Sequence, residues 1–194
     1  MSTESRWRKH GIRIVHANEL DANTAQTLGM NRCAAITSAR TGARQLWAGT
    51  VDIHANARTG AHHHGAIESV IYVVRGVARM RWGEQLEFVA EAAAGDFIYV
   101  PPYVPHQEIN ANADADLSCV LVRSGQDNVV VNLDIAAVET PQLVKWLDDL
   151  HRGRHAGSAT QDAAACHADQ RGAWWRRRRR STRERLENWN PPVQ

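Results

Sequence analysis

The residues best suited to chemistry in this sequence are two histidines and a glutamate in one short segment. His62, His64 and Glu68 all stand at even positions, and successive side chains of an extended segment alternate between its two faces. These three side chains are therefore expected to project to one side, and His63 to the other. Two imidazoles and a carboxylate on one face suit one divalent transition metal, with Fe, Mn, Ni, Cu and Zn as the candidates.

A further ligand must come from another strand, and His106 is the best candidate. It follows a rigid connection, residues 101–105, that contains three prolines, and it opens the next predicted strand. Glu108 shares the parity of His106, so it is expected to face inward as well. An inward carboxylate beside a metal can act as a general acid or base. The alternative is that Glu108 forms an ion pair with Arg79, Arg81 or Arg123, inside or at the rim of the folded domain.

Tyr72 is the second candidate for a catalytic role. It has the parity of Glu68 in the β-branched segment 67–74, so a regular strand would place both side chains on one face. Its hydroxyl could donate a hydrogen bond to a bound anion. The alternative is a tyrosine that packs in the core.

Short strands separated by turns must position these residues. β-branched and aromatic residues, bounded by glycines and prolines, predict strands at 12–15, 46–53, 67–74, 77–82, 85–90, 97–100, 106–110, 117–123 and 128–133. Many short strands without helical alternation indicate an all-β sandwich or barrel. The exception is residues 141–150, which read as a short helix with proline at its start.

The net charge of +2 hides two parts of different composition. Residues 1–150 carry 13 basic and 17 acidic residues, whereas residues 151–194 carry 10 basic and 4 acidic residues. The second part is polar and poor in aliphatic residues, which predicts a disordered basic tail. Its run of arginines beside Trp174 and Trp175 could contact phosphates and stack on bases. The expectation is nonspecific affinity only, so no specific nucleic-acid partner is predicted.

Two segments resemble the two motifs of the cupin superfamily. The run from Gly60 through His62, His64 and Glu68 to Gly76 resembles the first motif, in which HxH is followed by glutamate and then glycine. The run from Gly95 to Asn110, which contains Pro101 and His106, resembles the second. The resemblance covers roughly residues 44–133. It implies that His62, His64, Glu68 and His106 are the metal ligands, and that Gly76, Gly95, Pro101 and Asn110 are framework positions.

The sequence departs from the family pattern at two places. Seven residues separate Glu68 from Gly76, where the family has about six, so the carboxylate stands one position early. Tyr103 occupies a position where the family usually has glycine. A bulky residue there changes the turn and narrows the mouth of the pocket.

The resemblance also implies the architecture. We expect a single cupin barrel, a double-stranded β-helix or jelly roll, over residues 42–138. An N-terminal arm with short strands, residues 1–41, precedes it and could pair across a homodimer. A short helix over 139–150 and the basic tail over 151–194 follow it.

The location and partners follow from what the sequence lacks. No segment approaches the roughly 20 apolar residues that span a bilayer, and residues 1–20 lack the apolar run of a secretory signal. The three cysteines are widely spaced and do not suggest a disulfide framework. The expectation is a cytoplasmic homodimer that binds a small-molecule substrate or ligand, without a membrane partner.

Three functions are consistent with such a site. The ligand set resembles that of the quercetin dioxygenase branch, which implies a metal-dependent oxygenase acting on a small enol, diketone or thiol. A non-oxidative isomerase, epimerase or cyclase acting on a sugar-like or polyketide-like compound is the first alternative. Phosphomannose isomerase relatives share the fold but usually have glutamine in place of one histidine, so they match less well. The second alternative is a non-catalytic, metal-loaded module that binds or senses a small molecule.

Overall fold

Segments of alternating apolar and polar residues form the strands, because one face of each strand packs inward. The computed structural model describes residues 11–147. The strands of this range are β1 (Met30–Ile36), β2 (Trp47–Ile53), β3 (His62–His63), β4 (Ser69–Arg75), β5 (Val77–Trp82), β6 (Phe88–Ala93), β7 (Phe97–Val100), β8 (His106–Asn110), β9 (Leu117–Arg123), β10 (Val131–Asn132) and β11 (Lys145–Trp146). The helical elements are α1 (Ser38–Thr41) and two 3-10 turns, Ala17–Glu19 and Pro141–Leu143.

The strands pair into two sheets, named here sheet A and sheet B. Sheet A has the order β1-β2-β9-β4-β7, and sheet B has the order β10-β3-β8-β5-β6-β11. The pairing of β11 with β6 is parallel, and the other strand pairings are antiparallel. Neighbours such as β2 and β9 come from distant parts of the chain, as in a jelly roll. The predicted all-β jelly-roll barrel is confirmed.

The core lies between the inner faces of the two sheets. β2 and β9 alternate buried and half-buried residues along their whole length. Their buried side chains include Val51, Leu117 and Leu121, which pack in one cluster with Met80 of sheet B. Burying an aliphatic side chain of this kind stabilises the fold by about 1.5–3 kcal/mol. This cluster packs the inner face of sheet A against the inner face of sheet B.

Two framework positions of the motifs have clear structural roles. Gly76 turns β4 into β5 with a φ of +92°, a conformation that residues with a Cβ rarely adopt. The amide of Asn110 donates hydrogen bonds to the carbonyls of Ile53, His54 and Ala115. These bonds tie the end of β8 to the end of β2 and to the loop before β9.

Most of the strand predictions agree with the structure, and the N-terminal region is where they fail. The segments 77–82, 97–100, 106–110 and 117–123 coincide with β5, β7, β8 and β9. No strand forms at 12–15. The arm instead supplies β1, which pairs along β2 of the same chain. The pattern of β1 is hard to recognise because Arg32 occupies its buried face between Met30 and Ala34.

The segment predicted as a helix, residues 139–150, has a different structure in its described part. Pro141–Leu143 forms a single 3-10 turn, and Lys145–Trp146 forms β11. Backbone N–H groups of Lys145 and Leu147 donate to the carbonyls of Glu87 and Val89. The open edge of β6 offers these acceptors, and pairing with it overrides the local helical pattern. Residues 148–150 and the predicted tail, 151–194, lie outside the described range.

Across residues 11–147, no helix has the length and apolar character needed to cross a membrane.

Candidate metal centre

Three histidines meet at the inner face of sheet B. His62 on β3 lies directly opposite His106 on β8 in the antiparallel register, and their ring centroids are 4.4 Å apart. His64 follows β3, with its ring centroid 4.9 Å from that of His62 and 5.2 Å from that of His106. All three side chains are buried. The structure therefore brings together the three histidines that the sequence singled out.

Each of these imidazoles is oriented by a backbone carbonyl. The Nδ1 atoms of His62, His64 and His106 lie 2.9, 2.8 and 2.9 Å from the carbonyl oxygens of Gly60, Val129 and Val104, respectively. A carbonyl only accepts, so each Nδ1 carries the proton and each Nε2 keeps a free lone pair. The Nε2 of His106 is buried and has no hydrogen-bond partner within residues 11–147. Backbone carbonyls commonly orient metal-binding histidines in this way.

Glu108 supplies the fourth donor of the group. It stands two residues after His106 on β8, so its side chain shares the inner face, opposite Met80 of β5. One ligand atom from each of His62, His64, His106 and Glu108 lies within 4.8 Å of the others. Three imidazoles and one carboxylate in this span are donors that fit a divalent transition metal. The orphaned Nε2 of His106 is further support for that fit.

Glu68 is not part of this group. Its side chain is exposed, and its Oε1 accepts a 2.6 Å hydrogen bond from the Tyr99 hydroxyl. The parity argument fails here because the chain turns between β3 and β4, where Gly65 has a φ of +59°. The turn shifts the alternation, so the inward residues of β4 are odd-numbered and begin at Ser69.

Ser69 takes the inward position nearest to the glutamate of the family motif. Six residues separate Ser69 from Gly76, which is the family spacing between glutamate and glycine. Its side chain is buried, and its Oγ has no hydrogen-bond partner in the described part of the chain. The spacing of seven residues between Glu68 and Gly76, one more than in the family, was the sequence signal that Ser69 takes the position of the motif glutamate. A hydroxyl stands where the family has a carboxylate, and the carboxylate comes from Glu108.

Burial and mutual electrostatics set the protonation of the group. Desolvation, helped by the charge of the Arg123 guanidinium, lowers the pKa of His64 to about 4. Burial also lowers the pKa of His106, although Glu108 opposes this shift. For Glu108, burial raises the pKa, but the positive charges that the three histidines can carry, together with that of Arg32, outweigh burial and hold the pKa below its ordinary value. Neutral imidazoles and an ionised carboxylate are the states that metal binding requires.

A cavity of about 430 Å³ adjoins the group, with His106 in its wall. β5, β6 and β7 provide most of the remaining wall, including the apolar side chains of Met80, Trp82 and Phe97. Tyr99 and Glu91 add polar groups, and Glu91 Oε1 accepts a 2.7 Å hydrogen bond from Arg79. The volume and the largely apolar wall are typical of a pocket for a small organic molecule.

Tyr72 lies outside this cavity. Its position on β4 alternates with the inward residues Ile71 and Val73, so it faces away from the barrel interior. Its ring packs against Phe97 with the centroids 4.7 Å apart. The predicted contact with a bound anion therefore has no counterpart at this position, and neither does the alternative of a core tyrosine.

The arginines considered as partners of Glu108 differ in their placement. Arg79 pairs with Glu91 at 2.5 Å, and Arg81 donates hydrogen bonds to the carbonyls of Leu86 and Val138. Arg123 lies on the inner face of sheet A and is buried. Arg123 alone of the three is therefore placed to act on the interior of the barrel.

The backbone conformation of Tyr103 explains why the family motif usually has glycine at this position. Its φ is +60°, in the left-handed region where a residue other than glycine costs about 1–3 kcal/mol. The Tyr103 N–H donates a 2.8 Å hydrogen bond to the Gly65 carbonyl, and its ring centroid lies 5.9 Å from that of His63. These contacts hold the strained turn that leads into His106.

Comparisons with known proteins agree with the fold. The chain is similar to the polyketide cyclase RemF from Streptomyces resistomycificus, with 20% identity and a TM-score of 0.54 over 67% of this chain and 89% of that chain. It is similar to an oxalate decarboxylase, with 20% identity and a TM-score of 0.51 over 59% of this chain and 31% of that chain. KdgF from Halomonas sp. is 18% identical, with a TM-score of 0.47 over 60% of this chain and 96% of that chain. No curated protein matches the sequence significantly.

The sequence match to a family is more specific than these structural likenesses. Residues 49–123 match the family described as Cupin domain. The matched range includes both sequence motifs, the three histidines and Glu108, and it runs from β2 to the end of β9. The match and the two-sheet barrel together identify residues 49–123 as a cupin domain.

Proposed function

We propose that this protein is a mononuclear metal-dependent enzyme acting on a small organic substrate, and that it oxygenates an enol, a diketone or a thiol. The observation that carries the proposal is the convergence of three imidazoles and Glu108 beside the 430 Å³ cavity. Four protein donors leave one or two coordination positions for water or substrate, which separates a reactive site from a structural one.

The residues of the site have distinct tasks in this proposal. His62, His64 and His106 hold the ion through Nε2, and Glu108 offsets part of its charge. The inward walls formed by Met80, Trp82 and Val100 position the substrate and exclude water from it. A redox-active ion such as Fe or Mn would supply the activation of dioxygen or of a chelated substrate.

Metal analysis and oxygen uptake test this function directly. The protein is purified anaerobically, and Mn, Fe, Co, Ni, Cu and Zn are quantified. We expect a near-stoichiometric redox metal, and oxygen uptake with acetylacetone as a diketone probe or with cysteine as a thiol probe. The His106→Ala variant is expected to lose both the metal and the uptake. Absence of metal after reconstitution with each ion would refute the proposal.

A non-oxidative isomerase, epimerase or cyclase is the second candidate, and the Tyr99–Glu68 pair favours it. Tyr99 lines the cavity, and its hydroxyl donates to Glu68 at 2.6 Å. This hydrogen bond raises the pKa of Tyr99 and keeps its proton in place. A tyrosine hydroxyl that keeps its proton can donate a hydrogen bond to a substrate oxygen, which needs no oxidant. Stoichiometric Zn with no oxygen uptake would support this candidate, and tight ligand binding without turnover would indicate a binding or sensing module.

We also propose a homodimer, located in the cytoplasm. The outer face of β4 and β7 carries apolar side chains that nothing in the described chain covers; Val74, Phe97 and Tyr99 are 51%, 72% and 56% exposed. Such faces are typical of interfaces between subunits. Sedimentation analysis is expected to show a dimer that Phe97→Asp weakens, whereas Leu28→Asp, at an exposed loop position, does not. A monomeric parent protein would contradict this proposal, and cell fractionation tests the location.

A further inference from the structure

Two arginines and a serine lie beside a tryptophan on the inner face of sheet A, at one end of the barrel. Trp47, Arg123 and Ser69 lie side by side across β2, β9 and β4, and all three are buried. Arg32 joins them on the inner face of β1. The opposing inner face, on sheet B, carries the three histidines and Glu108. Buried polar residues on a sheet face that is otherwise apolar are unusual and need a structural or functional reason.

The two arginines are buried but incompletely paired. Their exposed fractions are 8% for Arg32 and 5% for Arg123, and neither Nε has a hydrogen-bond partner among residues 11–147. Arg32 Nη1 donates to the Ala25 carbonyl at 2.8 Å, and Arg123 Nη1 donates to Asn128 Oδ1 at 3.3 Å. The ion pairs of the described residues include neither guanidinium. Each side chain therefore retains a donor that is shielded from water and unused.

The electrostatic balance of the interior favours an additional negative charge. A buried cation without a partner is costly, and two neighbouring cations repel each other. Burial and the neighbouring Arg32 lower the pKa of Arg123 to about 10, against the opposing effect of Glu108, so Arg123 is still charged at neutral pH. Glu108 brings one negative charge to the interior, and the two guanidiniums bring two positive charges. The single negative charge of Glu108 therefore does not neutralise the positive charge of the interior.

A small cavity marks where such a charge would be bound. Arg32, Arg123 and Trp47 line it, together with Thr24 and Asn128. Asp127 also lines the cavity, but it is exposed and forms no ion pair with either guanidinium. The Arg123 guanidinium lies over the Trp47 ring, with its central carbon 5.8 Å from the ring centroid. That contact holds the planar group in one orientation.

We propose that Arg32 and Arg123 form an anion-binding site, and that the anion is the carboxylate of a small organic acid. The guanidinium presents parallel N–H donors that match the two oxygens of a carboxylate. Ser69 lies beside Arg123 in the register of β4 and β9, but it is not part of the wall of this cavity. The anion site stands without any metal.

Acetate is the probe, because it presents one carboxylate on the smallest carbon frame that NMR can follow through a methyl signal. Binding is measured on the full chain by saturation-transfer NMR and by the shift of Tm, with sodium chloride matching the ionic strength. Chelator-treated protein is used first, so that acetate cannot bind through an ion. We expect acetate to raise Tm, chloride to have a much smaller effect, and the methyl signal to show transfer.

Three variants define the site. Arg123→Gln and Arg32→Gln are each expected to weaken acetate affinity about tenfold or more, the loss associated with one charge-assisted pair. Arg75→Gln is the matched control, because Arg75 is exposed on β4, and it is expected to bind acetate as the parent does. If Arg123→Gln does not fold, Arg123→Lys replaces it, with the charge retained and the paired donors lost. Equal acetate affinity in Arg75→Gln and in the folded Arg123 and Arg32 variants would overturn the site.

Metal content separates this proposal from the proposed function. Stoichiometric metal without acetate binding would overturn the anion site and leave the metalloenzyme standing. Acetate binding that depends on Arg123 in a protein that takes up no metal would support the anion site and refute the metalloenzyme. We expect the parent protein to contain stoichiometric metal and also to bind acetate. The metal content of Arg123→Gln and Arg32→Gln is expected to equal that of the parent.

Discussion

Glu68 and Glu108 point to opposite sides of the barrel wall. Glu68 is exposed and bonds to Tyr99, whereas Glu108 lies within 4.8 Å of the ligand atoms of His62, His64 and His106. The turn at Gly65 is responsible, because it shifts the alternation between β3 and β4. The carboxylate that could bind a metal therefore comes from β8, next to a histidine of the same strand.

Exchanging each carboxylate for an amide tests this arrangement. Glu108→Gln is expected to lose most of the bound metal, because a neutral amide replaces the anionic donor. Glu68→Gln is the matched control and is expected to keep the parent content. Elemental analysis of both purified variants measures the difference. Loss of metal from Glu68→Gln alone would reverse the assignment and restore the motif glutamate as the ligand.

The histidines allow a similar comparison. His64→Ala and His106→Ala are each expected to lose most of the metal, whereas His63→Ala is not, because His63 Nδ1 accepts a hydrogen bond from the Gly65 N–H. Chelation should also lower the Tm of the parent protein but not that of His106→Ala, since a bound ion stabilises only the folded state. Full metal content in both His64→Ala and His106→Ala would refute the site.

The stability of metal-free protein is expected to fall as the pH drops from about 6.5 to about 4. The folded pKa of His64 is about 4, below its ordinary value of 6.5. The unfolded chain therefore takes up a proton in this window and the folded chain does not, so acid favours unfolding. Urea titrations of chelator-treated protein between pH 4 and pH 8 measure this. His64→Asn should flatten the dependence, and an unchanged slope in that variant would contradict the buried, neutral His64.

Because Tyr103 has a left-handed backbone conformation, the stability of the protein is expected to depend on which side chain stands at this position. Asparagine tolerates a positive φ, whereas valine is strongly disfavoured. Tyr103→Val is therefore expected to be less stable than Tyr103→Asn by about 1 kcal/mol or more. Denaturant unfolding of the two variants gives the difference directly, and both lose the aromatic contact with His63. Equal stabilities would show that this turn is not strained.

Cys119 is expected to resist thiol reagents in the native protein. Burial raises the pKa of its thiol to about 12, and only the thiolate is nucleophilic. Cys33 is less buried and is expected to react first. Iodoacetamide labelling at pH 8 with peptide mapping distinguishes the two sites, and urea should expose Cys119. Rapid labelling of Cys119 under native conditions would contradict the packing of β9.

Much of the fold could be predicted from local pattern. The alternation in 117–123 and the turn glycines Gly76 and Gly95 mark strands and hairpins wherever they occur, because these preferences depend on neighbours in sequence. Among the elements that escaped this reasoning are β1 and β11. β1 carries Arg32 on its buried face, and residues 145–146 become a strand only because the edge of β6 is open to them. Both depend on contacts with residues that are distant in sequence.

The sequence by itself determined the barrel class and the histidines of the site, because regular strands carry their side chains in a period of two and the motifs name His62, His64 and His106. Parity along β8 also placed Glu108 on the inner face. Only the tertiary structure decided which carboxylate joins the histidines, that Ser69 replaces the motif glutamate, and that Arg32 and Arg123 lie buried without an anionic partner in the described chain. A turn can shift the alternation by one residue, and the meeting of two inner faces depends on how the sheets pack, which no local pattern records.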